Sequence, residues 1–327
     1  MTLKDIEKLA TQEIMKTDWH WFNYHFSHIQ ILCGNQFSHS VINCCYESEQ
    51  KMEGYAANFI KKLASYCNSE KDMNHYDQLL QHVAELVVVS HLARTLNESW
   101  IFQEEPKNAA SNKNPEISIS NGKLTILVEV KSPRFFEFQK KRTKTGIQLP
   151  SRIGNGFKNM IENIHDTKAS LPRDNIVKDF LISADSKFKS FKDQDANVLS
   201  VLVIAWDDFI YEPISSLVND FTGLITDNSY YKNSDNHPIK FENIDNIILL
   251  RNMTQIVNAT RDIQVTDGLE HPLDYGCKGR TLPIPIITVN EHRDAHILYD
   301  IFQCIDLEEL KDVAEYKPQD FIMWMRV

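Results

Sequence analysis

The apolar positions of this chain change their period along its length. From the N-terminus to about residue 70 they recur at helical spacing, in "LKDIEKLATQEIMK" and again in "MEGYAANFIKKLASYC", so a helical region is predicted there. "HYDQLLQHVAELVVVSHLARTL" is apolar nearly all round and predicts a buried helix from about Tyr76 to Leu96. The period then drops to two: "WIFQEE", "EISIS" and "KLTILVEVK" predict three short strands, the last two joined by a turn at Asn121-Gly122. After Pro133 a basic, irregular stretch runs to about Gly156. Helical text follows in "FKNMIENIHDTKASL" and "VKDFLISADSKFKSF". "NVLSVLVIAW" has no polar alternation and predicts a strand covered on both faces. "EPISSLVNDFTGLI" predicts a helix, residues 227–236 a polar loop, "IDNIILLRN" a further strand and "EHRDAHILYDIFQCI" a helix. This order predicts an α/β fold, with a central mixed sheet flanked by helices. A helical N-terminal region (1–70) precedes the core (71–266), and a mixed C-terminal extension (267–327) follows it.

A tight Asn-Gly loop fixes a hairpin register. With a two-residue loop Ser120 faces Lys123, Glu116 faces Leu127, and Glu129 is the diagonal neighbour of Glu116. Side chains alternate between faces, so Glu116, Ser118, Ser120, Lys123, Thr125, Leu127, Glu129 and Lys131 share one side. Ile117, Ile119, Leu124, Ile126, Val128 and Val130 share the other, which must be core. Diagonal partners stand roughly 7–8 Å apart at Cα and closer at their tips. Two carboxylates so placed suit a hard divalent cation such as magnesium. Lys131 then reaches a water on that ion, to help deprotonate it or to stabilise charge on an attacked phosphate.

Pro115-Glu116 followed by Glu129-Val130-Lys131 resembles the PD-(D/E)xK nuclease superfamily, whose fold is the restriction-endonuclease-like core. The resemblance spans about Tyr76 to Trp206. It implies that Glu116 and Glu129 are the two motif acids and Lys131 the motif lysine. Glu85, in "QHVAELVVVSHL", is similar to the acid that many members carry on the helix before the first core strand. The implied activity is magnesium-dependent (or manganese-dependent) hydrolysis of phosphodiesters, most often in DNA. Glu116, Glu129 and the Val130 carbonyl would hold the ion, with Glu85 an outer or second-site ligand. One departure from the pattern is a glutamate at 116, where the family usually has aspartate. Bacterial restriction or anti-phage defence, under control of a regulatory protein partner or of homo-oligomer assembly, is what the resemblance implies. Fold alone does not fix activity: the alternatives are a non-cutting scaffold that binds nucleic acid or a partner, and an RNA-cleaving toxin.

Charge sharpens this picture. The chain carries a formal −10, which argues against a surface coated throughout in nucleic acid. Locally the sign reverses: Lys131, Arg134, Lys140, Lys141, Arg142, Lys144, Arg152 and Lys158 lie in a stretch whose only acid is Glu137. Directly after the proposed active strand, Arg134, Lys140, Lys141, Arg142, Lys144 and Arg152 are candidates to grip a phosphate backbone. Phe135, Phe136 and Phe138 interleave with them, with packing onto the core as their expected role. The six cysteines show no C-x-x-C pair, and no leader-like or ~20-residue apolar segment is visible, so a reduced, cytoplasmic, non-membrane setting is expected. His20, His25 and His28 in "DWHWFNYHFSH" lack a completing carboxylate and read as an aromatic helix against the core. Neither a phosphate-binding G-x-x-x-x-G-K-[ST] loop nor zinc-finger spacing occurs.

Overall fold

The computed structural model describes residues 1–27, 29, 36–67, 72–108, 113–142, 146–149, 151–152, 155–263, 273–275 and 283–319. Helix α1 (Leu3–Met15) opens on a reciprocal cap: the Asp5 N–H donates to the Thr2 hydroxyl and the Thr2 N–H to the Asp5 carboxylate. Helices α2 (Asn23–Ser27), α3 (Gln36–Lys51) and α4 (Tyr55–Ser65) follow, then the long α5 (Met73–Thr95), buried on most of its circumference as its composition requires. Strands β1 (Ile101–Glu104), β2 (Ile117–Ser120) and β3 (Thr125–Lys131) form an antiparallel meander.

Beyond it come α6 (Phe135–Arg142), β4 (Ile147–Gln148), α7 (Asn155–His165) and β5 (Ala169–Ser170), with β4 and β5 forming a small parallel pair of their own. Helix α8 (Asp174–Lys192) then leads to β6 (Val198–Trp206), α9 (Tyr211–Val218), β7 (Asn246–Arg251) and α10 (Met253–Ala259). The last elements named are β8 (Ile284–Thr288), α11 (Ile297–Phe302) and β9 (Cys304–Asp306).

The main sheet runs β1-β2-β3-β6-β7-β8-β9. Its centre, β3, β6 and β7, is parallel, and every residue of β6 is buried. That is why β6 reads as an unbroken apolar run. Alternation delivers β3 to two cores. Ile126, Val128 and Val130 join Val201, Val203 and Ile248 beneath α5 and the N-terminal helices. Leu127 joins Leu202, Ile204 and Leu249 beneath α8 and α9. Each fully buried aliphatic side chain of this kind contributes about 1.5–3 kcal/mol. The chain is thus α/β, a seven-stranded mixed sheet flanked by helices. Core residues from Ile6 to Ala64 and from Ile284 to Cys304 join the same cluster as the sheet, and β8 and β9 extend the sheet.

Three local expectations are corrected. The basic stretch after Pro133 begins as a helix, α6, because the Asp77 carboxylate on α5 accepts from the Phe136 and Glu137 N–H groups. A cap supplied from so far away is invisible in a local window. Helix α9 ends at Val218, where Asn219 turns extended and its side chain accepts from the Phe221 N–H.

The hairpin, third, is paired Ser120 with Thr125 and Ile117 with Val128, not Ser120 with Lys123. The Asn121 side chain accepts from the N–H groups of both Lys123 and Leu124, and Gly122 sits at φ +81°. The reversal therefore takes four residues rather than two. The two-residue shift in pairing preserves which face each side chain occupies. Continued by one residue, the observed register sets Glu116 directly across from Glu129 instead of diagonal to it.

Candidate active site

Glu129 lies on the face of β3 covered by α8, and it is fully buried. A buried carboxylate without compensation is very costly. Here two ammonium groups converge on one of its oxygens: Lys131 Nζ is 2.6 Å and Lys187 Nζ 2.7 Å from Oε1. Its other oxygen, Oε2, is buried with no hydrogen-bond partner. Lys187 also stands 3.6 Å from Glu116 Oε1, so it bridges the two acids across the hairpin. The sequence pattern brought Glu116, Glu129 and Lys131 together, and the structure does join them.

Glu85 reaches the same region from α5. His82 Nδ1 donates to its Oε2 at 3.0 Å, and Lys62 of α4 lies 3.8 Å from that oxygen. Phe59 holds the His82 ring in a stack at 4.1 Å. Glu85, Lys62, His82 and Glu116 line one cleft of about 440 Å³ with Tyr55 and Asn58. Val130, between the two motif residues, sends its side chain into the opposite core, which leaves only its backbone carbonyl for a ligand role.

Proton affinities follow from this crowding. Burial, then the charges of Glu85 and Glu129, push the Glu116 carboxyl up to about 7, against the weaker pull of Lys187 and Lys131. Burial acts on Glu85 too, but the His82 hydrogen bond with Lys62 and Lys131 outweighs it and holds that carboxyl below its ordinary range. Lys187 is held above the usual lysine range, because Glu129 and Glu116 more than offset its burial.

Among the described residues no group of three or more His, Cys, Asp or Glu side chains is gathered closely enough to hold a metal ion alone. Magnesium is commonly held by one or two carboxylates, with waters and substrate oxygens completing its shell. Glu116 and Glu129 form such a pair, and Glu129 Oε2 is an acceptor in search of a partner. The residues fit that mode of binding.

The basic candidates divide. Arg134 is exposed, 3.2 Å from Glu137. Lys140 is exposed on α6. Lys141 and Arg142 end α6 by their backbone, and Lys144 lies outside the described residues. Arg152 is turned to a structural task, bonded to Asp174 at 2.7 Å and Asn175 at 3.1 Å and stacked over Tyr230. Phe135 and Phe136 pack on the core, and Phe138 lies under the buried Arg173 guanidinium. His20 and His25 are buried and donate to the Leu63 and Thr260 carbonyls, as core histidines do; His28 lies outside the described residues.

Lys187 and Lys62 were missed by the motif. For Lys187 a signal was present: it follows Ala184 by three on a helix whose apolar stripe is Val177, Leu181, Ala184 and Phe188. A cation on the flank of a core-facing stripe needs a buried anion. No protein-family model, curated protein or solved structure matches the chain.

Proposed function

We propose that this protein is a metal-dependent nuclease of the restriction-endonuclease-like kind, hydrolysing phosphodiester bonds, with DNA as its substrate. The observation that carries the reading is the buried Glu129, neutralised by two lysines on one oxygen and without a partner on the other, with Glu116 across the hairpin. The supporting frame is a mixed sheet with α5 on one face and α8 on the other: Lys187 of α8 pairs with Glu129, and the charge of Glu85 of α5 is felt at Glu116.

Glu116 and Glu129 would hold magnesium or manganese; when bound, such an ion lowers the pKa of a ligated water and offsets charge on the phosphate. Lys131 orients the attacking water and stabilises charge that grows on the phosphate oxygens. One P–O bond forms to the water oxygen and one to a sugar oxygen breaks. The water gives a proton to solvent, and the departing oxygen takes one up. Glu85, fixed by His82, sets the field at Glu116 and would serve as an outer ligand. The exposed α6 with Arg134 and Lys140 supplies a backbone grip beside the strand end.

A second reading, a non-cutting nucleic-acid scaffold, is favoured by one observation. Glu85, Glu116 and Glu129 already meet Lys62, Lys131 and Lys187, so the acids are balanced without a cation. Offering labelled DNA and labelled RNA together, with magnesium, manganese or a chelator, separates the possibilities. Metal-dependent cleavage of the DNA is expected. Cleavage of the RNA alone would move the substrate class, and a gel shift of intact DNA would leave the scaffold.

A further inference from the structure

Resting on the nuclease reading, we propose that Lys187 is a second catalytic ammonium of this site, contacting the scissile phosphate opposite Lys131. It belongs to no sequence motif and comes from a different layer of the fold, α8, whose Val177, Leu181 and Phe188 anchor it against β3 and β6. Lys131 and Lys187 approach the same oxygen of Glu129, at 2.6 and 2.7 Å, so the two cations flank that carboxylate as a pair. Of the two, Lys187 is the one that also stands near Glu116, at 3.6 Å.

An ammonium has three protons to donate and no acceptor. On Lys187 one is given to Glu129 at 2.7 Å, and Glu116 stands at ion-pair distance, 3.6 Å, which leaves donors for a further anion. Its side chain retains 20% of its exposure and that of Lys131 23%, whereas Glu129 has none, so it is the two lysines that solvent reaches. A phosphate entering there brings negative charge between two fixed ammoniums. As the attacked phosphorus gains a fifth oxygen, that charge grows on oxygens both lysines can reach. Preorganised cations at such a position act on the transition state more than on bound substrate. One lysine on the strand and one on the helix thus make a pair of cations, held near each other by the one carboxylate oxygen they share.

The test compares wild type with Lys187→Met, and with Lys187→Gln as the second variant should methionine impair folding. Turnover on supercoiled plasmid is measured at saturating DNA, manganese binding to the DNA-free protein by electron paramagnetic resonance, and folding by thermal melting. Turnover is expected to fall about 10²–10³-fold with KM for plasmid little changed. Manganese binding is expected to be kept or tightened, since a competing cation has been removed. Lys187→Arg, which keeps the charge, should recover part of the turnover. A purely structural lysine would instead loosen Glu129, so weakened manganese binding in a folded variant overturns the assignment. So does a variant that turns over as fast as wild type. Wild-type protein that binds no manganese and leaves plasmid intact overturns the nuclease reading itself, and this assignment with it.

Discussion

The chemistry of this protein concentrates in a few side chains whose proton affinities are set by neighbours. Glu116 is the clearest case. Its carboxyl titrates near 7 in the folded chain against an ordinary value of 4.5, because it is buried beside Glu85 and Glu129. Between those values the folded state binds a proton that the unfolded state has lost, so stability falls as pH rises from about 4.5 to about 7. Glu116→Gln removes that penalty. In chelator at about pH 8 it should melt higher than wild type by the equivalent of about 2–3 kcal/mol, and the difference should vanish near pH 4.5. Equal melting of the two proteins at both pH values would show that the carboxyl is not perturbed. The cysteines are a contrast: burial pushes the Cys44 thiol up to about 12 and Cys45 well above its usual range, which makes them packing residues without nucleophilic character.

At the scale of elements, α6 is seated by its phenylalanines on the core and capped from a distance. Its first turn hangs on Asp77, whose carboxylate accepts from two helix N–H groups. Asp77→Ala should cost about 1–2 kcal/mol by chemical denaturation and weaken DNA retention, since the basic helix loses its seat. Unaltered DNA retention would remove α6 from the binding surface. This element also shows what the sequence could and could not yield. Strands β3 and β6 were legible because burial on one or both faces writes itself into local period. Glu116, Glu129 and Lys131 were legible because alternation fixes their face whichever loop closes the hairpin. The exact pairing was not, since the Asn121 side chain holds a four-residue reversal where the Asn-Gly pair suggested two. Helix α6 and Lys187 escaped for one reason: each depends on a partner some sixty positions away, Asp77 for one and Glu129 for the other. Strands β8 and β9 are short and gain their place by joining an existing sheet.

For the whole molecule, net charge and local charge oppose each other. On the nuclease reading, a chain of −10 repels a polyanion over most of its surface, and DNA contact is expected where Arg134 and Lys140 lie exposed beyond the end of β3. Few phosphates are then neutralised, and the logarithm of affinity should fall with the logarithm of salt at a slope of about −0.9 per phosphate contacted. A slope of roughly −3 to −5 in fluorescence anisotropy is expected from so small a basic surface. A slope near −10 would require a far wider one. No helix among the described residues is long and apolar enough to cross a membrane.

In the proposed site Glu116 and Glu129 hold a cation for hydrolysis while Lys131 works beside them. Nicking of supercoiled plasmid in magnesium or manganese, by wild type, Glu129→Ala and Lys131→Ala with folding checked for each, tests it most directly. Metal-dependent nicking by wild type is expected, with a loss of at least about 10²–10³-fold in each variant. Folded variants that nick as fast as wild type would contradict it.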